Sequence, residues 1–167
     1  MQISRPAPGI GALSPRAHLA TDAPQQSLAG SWRFRLSPTL HDAPAEWRDD
    51  DTASWDQIQV PGHWVLQGHG APAYSNVQMP FPVDPPHPPQ ANPIGDHILD
   101  FVADDALLSA AEQLIRFDGI ESAGEIWLNG TWLGSTRGSR LAHEFDVTGI
   151  LRAGENRLAV RVAQVSD

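Results

Sequence analysis

Apolar and polar residues alternate in short stretches over most of this chain. In SLAGSWRFRLS, near the start of the pattern, Trp32, Phe34 and Leu36 alternate with polar residues, and NRLAVRVA closes the pattern in the same way. Alternation with a period of two is typical of a strand with one buried face. WDQIQVP, HILDFVA, QLIRFDG and HEFDVTG fit the same interpretation, separated by glycine or polar turns at roughly eight to twelve residues. The sequence therefore predicts an all-β, antiparallel β-sandwich over residues 28–167.

One turn in this pattern can be predicted with its geometry. In GEIWLNGTWLG, Asn129 and Gly130 separate two short apolar runs. Both residue types tolerate a positive φ, as the two central positions of a type I′ hairpin turn require. Trp127, next to this turn, and Trp32 are predicted to be buried in the sandwich. Residues 40–54 show no such pattern and are interpreted as an irregular, partly helical surface connection.

Two segments depart from the strand pattern. Residues 1–27 are rich in Pro, Ala, Gly and Gln without periodicity, which predicts a poorly ordered N-terminal arm. Residues 61–93, which we call the strap, form a loop of about thirty residues, far longer than the usual four to six. Its aromatic and apolar side chains argue against disorder, and proline pre-sets φ, which reduces the entropy lost on ordering. The strap is therefore predicted to be an ordered, proline-rich loop laid across the sandwich.

Composition narrows the class of protein. The formal net charge is −9 and no cysteine is present. An acidic chain is a poor partner for nucleic acid or an anionic membrane, and without cysteine it can have neither disulfides nor zinc–thiolate sites. No apolar run is long enough for a signal peptide or a membrane span. We expect a cytoplasmic protein with no nucleic-acid or membrane partner.

The residues alone leave the chemistry open. The nucleophile elbow GxSxG, the phosphate loop GxxxxGK, the zinc motif HExxH and the dinucleotide fingerprint are all missing from the sequence. His63 and His69 are spaced like no familiar metal site. Trp64 could lie near a ligand or pack beneath the strap. Asn76 carries an amide that can bridge neighbouring sugar hydroxyls, although a lone loop asparagine is more often a turn residue.

Four stretches resemble the β-galactosidase branch of the family 2 glycoside hydrolases, in the same order and with similar spacing. They are LAGSWRFRL, PGHWVLQGHGAPAYSNVQMPFPVDPPHPPQANPIG, FDGIESAGEIWLNGTWLG and SRLAHEFDVTGILRAGENRLAVRV. The resemblance covers roughly residues 28–167. It implies the N-terminal sugar-binding domain of a larger enzyme, with a jelly-roll, galactose-binding-domain-like fold. It also implies that the two glutamates of a retaining mechanism lie in a later barrel domain.

The same resemblance implies one binding residue. An asparagine in a YTNV-like motif contacts the galactosyl ring in this family, and the matching residues here are Tyr74, Ser75, Asn76 and Val77. Asn76 is thus implied as the substrate-binding residue, and the chain itself would contain no catalytic residue. Its partners would be the terminal galactose of a β-galactoside and the remaining domains of the parent chain. Homo-oligomerisation is left open.

The sequence departs from the family pattern at positions that bind metal ions in the family. Family enzymes use magnesium and sodium, but a family glutamine that helps to hold magnesium corresponds here to Arg137, which has no acceptor atom. The family aspartate that binds both sugar and sodium falls beyond Asp167. Gly95, Asp96 and His97 also replace a common Gly-Cys-Tyr. We therefore expect no metal and no cofactor in this chain.

Two other functions are compatible with these residues. A free-standing carbohydrate-binding module could share this architecture but should present its own aromatic platform. A structural or interaction domain could have lost the sugar contact altogether. Sugar affinity in the isolated chain would favour the first of these.

Overall fold

The computed structural model describes residues 3, 5–16, 21–72 and 78–166. Within these residues it contains eight strands, one 3₁₀ helix (Trp64–Gln67) and one short α-helix, α1 (Asp105–Leu108). The strands are β1 Gly30–Ser37, β2 Asp56–Val60, β3 Ile94–Val102, β4 Leu114–Phe117, β5 Ala123–Leu128, β6 Thr131–Thr136, β7 His143–Asp146 and β8 Glu155–Ala163. Each alternating stretch of the sequence has become a strand, as predicted.

The strands form two antiparallel sheets. The large sheet has the order β2-β1-β3-β8-β5-β6, and the small sheet pairs β4 with β7. The core between them contains Trp32, Leu158 and Val160 from the large sheet and Ile115 and Phe145 from the small one. The prediction of an all-β antiparallel sandwich is confirmed.

The predicted hairpin turn lies between β5 and β6. Asn129 has φ 52° and Gly130 has φ 79°, so both central residues have the positive φ of a type I′ turn. The turn is also fixed from one side by the Asn129 amide, because Nδ2 donates to the Ile150 carbonyl at 2.9 Å and Oδ1 accepts from the Arg157 amide at 2.9 Å. Trp127 and Trp32 are both buried, as predicted.

The opposite face of the large sheet is also covered, which the alternation did not predict. Residues 38–55 fold over it, and Trp47 becomes fully buried with its ring edge-on to Trp127 at a centroid distance of 5.6 Å. Residues 40–54 are irregular and mostly exposed, as predicted, but the prediction that they are partly helical was wrong, because they contain turns, and Trp47 among them adds to a second apolar layer. As a result β8, predicted to be half-buried, is buried on both faces.

A row of charged residues crosses this covered face. In the strand register Arg35 lies opposite Asp96, Asp96 opposite Arg161, and Arg161 opposite Glu125, so the sign of the charge alternates across four strands. Opposite charges on facing positions stabilise strand pairing. Trp47 lies over this row, with its ring 4.7 Å from the guanidinium carbon of Arg161.

The N-terminal 27 residues make contacts that the sequence did not predict. Ile3 is buried with 2% of its surface exposed, in a small apolar cluster on the covered face of the large sheet. Ile10 forms an antiparallel bridge with Ser135 of β6, and the Leu13 amide donates to the Glu144 carbonyl of β7 at 2.8 Å. The arm therefore joins the edges of both sheets.

No helix in the described part of the chain has the length and apolar character needed to cross a membrane.

Candidate functional site

The strap leaves the large sheet through a side-chain anchor. After β2 the chain turns into the 3₁₀ helix, where the Gln67 side chain accepts from the Gln59 amide at 2.6 Å and donates to the Gln59 carbonyl at 3.0 Å. These two bonds are the pair that a neighbouring strand would make with the edge of β2. Gly68 then ends the helix in the left-handed conformation, φ 91°. The start of the strap is thus held to the sheet by an amide.

A second amide holds the other end of the strap. The Asn92 side chain donates to the Val165 carbonyl at 2.7 Å and accepts from the Val165 amide at 2.9 Å. The next residue continues the contact, because the Pro93 carbonyl accepts from the Gln164 amide at 3.0 Å. Both anchors use a carboxamide because only that side chain offers a donor and an acceptor side by side. Gln67 and Asn92 therefore fix the two ends of the segment 68–91.

Trp64 packs against the sheet at the first anchor. Its ring centroid lies 5.8 Å from that of Phe34 and 6.1 Å from that of His97. Gly95 lies directly beneath the indole, and a Cβ at that position would come within 2.6 Å of the ring. Of the two roles that the sequence left open for Trp64, the structure shows the packing role.

His97 lies in this aromatic cluster and faces away from the charged row. Its ring meets Phe34 in an edge-to-face contact with the centroids 4.9 Å apart, and its Nδ1 lies 3.1 Å from the Gly95 carbonyl oxygen. Burial lowers the pKa of His97 to about 4, because the imidazolium loses its hydration there. His97 is therefore neutral at neutral pH. Its ring packs against Phe34 and Trp64, where the strap leaves the large sheet.

Two histidines of the strap, His69 and His87, show no metal-site geometry. His69 has its Nδ1 3.7 Å from the Asp56 carboxylate, and His87 has its Nδ1 3.7 Å from the Asp84 carboxylate. Over the residues that the structure describes, no group of three or more His, Asp or Glu side chains could hold a metal ion.

The middle of the strap carries exposed apolar side chains. Met79 is 48% exposed and Val83 is 63% exposed, and Leu66 at the first anchor is 80% exposed. Asn76, the residue implied as the sugar contact, belongs to residues 73–77 and lies outside the described residues. The structure thus places both ends of the strap and leaves the position of Asn76 as a prediction.

The residue expected at the magnesium site has the wrong chemistry for a ligand. Arg137 follows β6, and its guanidinium donates to the backbone carbonyl of Arg5 at 2.8 Å and to that of Ala7 at 3.2 Å. A guanidinium has no lone pair to offer a cation and stays positively charged. The residues at this position therefore do not fit a bound magnesium ion.

Comparisons with known proteins agree with this fold. The sequence model of the glycosyl hydrolases family 2 sugar binding domain matches residues 25–167. A β-galactosidase of Arthrobacter sp. (strain B7) is 45% identical over 95% of this chain and 18% of its own length. β-Galactosidase 2 of Enterobacter cloacae is 44% identical over 89% of this chain and 14% of its own length. The chain thus spans less than a fifth of these relatives.

Solved structures give the same architecture. The β-glucuronidase of Bifidobacterium dentium, solved with coumarin-3-O-glucuronide, superposes with a TM-score of 0.62 at 29% identity, over 91% of this chain and 22% of that one. The β-D-mannosidase of Dictyoglomus thermophilum superposes with a TM-score of 0.54 at 23% identity, over 82% of this chain and 15% of that one, and shows the fold alone. The chain, with its two-sheet sandwich and long anchored strap, belongs to the sugar-binding domain family of the family 2 glycosyl hydrolases.

Proposed function

We propose that this chain is the non-catalytic N-terminal domain of a β-galactosidase. The observation that carries the proposal is the 45% identity to the Arthrobacter β-galactosidase over 95% of the chain. The two catalytic glutamates of the retaining reaction then belong to another domain of the parent protein, and this domain contributes to binding. The ligand is the terminal galactose of a β-galactoside.

The strap is the part of the domain that we assign to the sugar. Gln67 and Asn92 hold its two ends, and the described residues between them, 68–72 and 78–91, belong to neither of the two sheets. An anchored loop on a rigid sandwich is the usual carrier of binding residues. Asn76 lies in this segment, and its amide can donate to one galactosyl hydroxyl while it accepts from a neighbouring one.

The exposed apolar side chains of the strap support the same assignment. Leu66, Met79 and Val83 are all exposed by about half or more of their surface. Exposed apolar side chains on one loop are typical of a surface that another domain or chain covers. We assign this surface to the remaining domains of the parent protein. Val77, a further candidate for it, lies outside the described residues.

The test is Asn76→Ala in the full-length parent enzyme. A hydrogen bond to a neutral partner contributes about 0.5–1.5 kcal/mol, and a contact that tightens in the transition state contributes more. We therefore expect kcat/KM for a galactoside to fall about tenfold or more, with an unchanged melting temperature. Gln78→Ala is the matched control, since it removes an exposed amide two residues away and should leave the kinetics unchanged.

The contrary result is equally clear. If Asn76→Ala lowers the melting temperature and leaves the galactosidase kinetics unchanged, Asn76 is a turn residue and the sugar contact is wrong. If Gln78→Ala lowers kcat/KM as much as Asn76→Ala does, the effect belongs to the loop and not to one amide.

The isolated chain separates this proposal from the carbohydrate-binding module. Of the six tryptophans, all within the described residues, Trp132 on the edge strand β6 is the one classed as exposed, at 41%. A single indole is a poor platform, and one amide does not offset the entropy of capturing a small solvated ligand. We expect the chain alone neither to hydrolyse a chromogenic galactoside nor to bind galactose below the millimolar range. Submillimolar binding, lost in Trp132→Ala, would favour the module instead.

A further inference from the structure

Three backbone carbonyls of the N-terminal arm converge on one guanidinium. Arg137 donates from Nη2 to the carbonyls of Arg5 at 2.8 Å and Ile3 at 3.4 Å, and from Nε to the carbonyl of Ala7 at 3.2 Å. Ile3, Arg5 and Ala7 are alternate residues of the arm, and their carbonyl oxygens all accept from this one guanidinium. Bonds from a charged donor are about twice as strong as neutral ones, so the arm is held at this point by charge-assisted bonds.

Two further contacts of the arm flank those with Arg137 and hold the arm against the sandwich. At one end Ile3 is buried, and its amide donates to the Glu125 carboxylate at 3.2 Å. At the other end Ile10 and Ser135 exchange two backbone hydrogen bonds, of 3.1 Å and 2.8 Å. Along the arm, the contacts with Arg137 thus lie between the buried side chain of Ile3 and the strand-like pairing of Ile10.

Glycines allow the arm to lie this close to β6. A Cβ on Gly9 would come within 2.6 Å of the Ser135 carbonyl oxygen, and a Cβ on Gly134 would come within 2.0 Å of the Ile10 carbonyl oxygen. Gly11 has φ 84° and would meet the Leu133 carbonyl oxygen at 2.2 Å. The sequence Gly-Ile-Gly therefore fits the arm to this strand without side-chain clashes.

We propose that the Arg137 guanidinium is a built-in cation that docks the N-terminal arm, so that docking in this chain needs no divalent metal. Converging carbonyl oxygens are the ligands that hard cations such as magnesium and calcium prefer. Here the positively charged guanidinium of Arg137 already binds these carbonyl oxygens. A second cation at the same carbonyls would lie within a few ångströms of the first and be repelled. Where the family that the chain resembles has a glutamine that helps to hold magnesium, this chain has the positive charge of Arg137 instead.

Amide hydrogen exchange on the 167-residue chain tests this directly. The reporters are the amides of Ile10, Leu13 and Ser135, which join the arm to β6 and β7. We expect their exchange to be the same in excess magnesium and in excess EDTA. In Arg137→Gln, which removes the charge and the fork of donors, we expect exchange at the three amides to be at least about tenfold faster.

A neighbouring arginine provides the control. The side chain of Arg140 is 84% exposed and forms a long ion pair with Glu121, at 3.5 Å. Arg140→Gln should leave the three amides unchanged. The proposal is overturned if EDTA accelerates their exchange in the unsubstituted chain, or if Arg137→Gln leaves it unchanged. If Arg137→Gln also loses protection in β8 and so fails to fold, the comparison of EDTA with magnesium in the unsubstituted chain still decides.

Discussion

The guanidinium of Arg161 and the carboxylate of Asp96 form a two-bonded pair between β8 and β3, and neither side chain is exposed to solvent. Nε lies 2.5 Å from Oδ1 and Nη2 lies 2.8 Å from Oδ2. The remaining partners are also in place, because Arg161 Nη2 donates to the Pro44 carbonyl at 2.8 Å and Arg35 Nη2 donates to Asp96 Oδ2 at 3.3 Å. The pair is therefore buried with its hydrogen-bonding capacity largely used.

Removing one member of this pair should destabilise the domain strongly. Arg161→Met leaves Asp96 buried with a single, longer contact to Arg35, and an uncompensated buried charge costs about 3–5 kcal/mol. For a domain of this size we expect the melting temperature to fall by on the order of 10 °C or more. Arg140→Met removes an exposed pair and should change it by a degree or two at most. Equal small effects in both variants would show that the buried pair contributes no more than a surface one.

Gly95→Ala should loosen the base of the strap. The added Cβ would lie 2.6 Å from the Trp64 ring and 2.9 Å from the Phe34 ring, so one of them must move. Such overpacking typically costs about 1–3 kcal/mol. Chemical denaturation measures this loss in the free energy of unfolding. In a Trp64→Ala background, Gly95→Ala should lower the free energy of unfolding by less, because the closest contact is gone. An identical loss in both backgrounds would show that Trp64 does not press on Gly95.

His97 should make the domain less stable in mild acid. Its pKa is about 4 when folded and about 6.5 in the unfolded chain, so the unfolded state binds the proton more readily. Its contribution is therefore complete above pH 6.5 and is lost as the pH falls toward 4, to a total of about 3 kcal/mol. Denaturation curves between pH 7 and pH 4 should show this slope, and His97→Gln should flatten it. A variant with an undiminished slope would mean that another group causes it.

The second anchor of the strap should be sensitive to one substitution. Asn92→Ala removes both bonds to the half-buried Val165, and at about 0.5–1.5 kcal/mol for each bond the expected loss of stability is about 1–3 kcal/mol. Hydrogen exchange of the Val165 amide should also become faster, because this amide loses its acceptor on Asn92. Gln90→Ala changes an exposed amide on the same segment and should alter neither quantity. If both variants behave alike, the anchor is not specific to Asn92.

The strands were predictable from the sequence because their signal is local. In β1, Trp32 packs in the core between the sheets, Phe34 is buried against Trp64 and His97, and the polar residues that alternate with them are less buried. The burial of the face that carries the polar residues was not predictable in this way. Arg161 appears as a solvent-facing position in the alternation of β8, and it is buried only because Trp47, more than a hundred residues away in the chain, packs over it.

The anchors of the strap were missed for a related reason. Asn92 bonds to a residue 73 positions away, so nothing in its immediate neighbours indicates the contact. Gln67 offered a local signal, since it precedes a glycine and bonds only eight residues back, to Gln59. The contacts of the arm were not predicted because its residues show no periodicity, and the glycines of Gly-Ile-Gly fit β6 only through the distant residues that they meet there. Asn76 was implied by family resemblance and by no pattern in the chain itself.

Because side-chain amides hold both of its ends, the strap segment between them can change in sequence and length without changing the anchors. Gln67 and Asn92 hold the segment 68–91 by bonds to Gln59 and Val165, and none of these four residues lies within the segment itself. Lengthening a loop whose ends are already fixed changes its closure entropy only slowly. Changes of length after His69, whose ring packs on Phe34 of β1 at a centroid distance of 4.8 Å, should therefore leave the shape of the sandwich unchanged. With the sugar contact on the strap, as proposed, ligand preference could diverge faster than the sandwich that carries the strap.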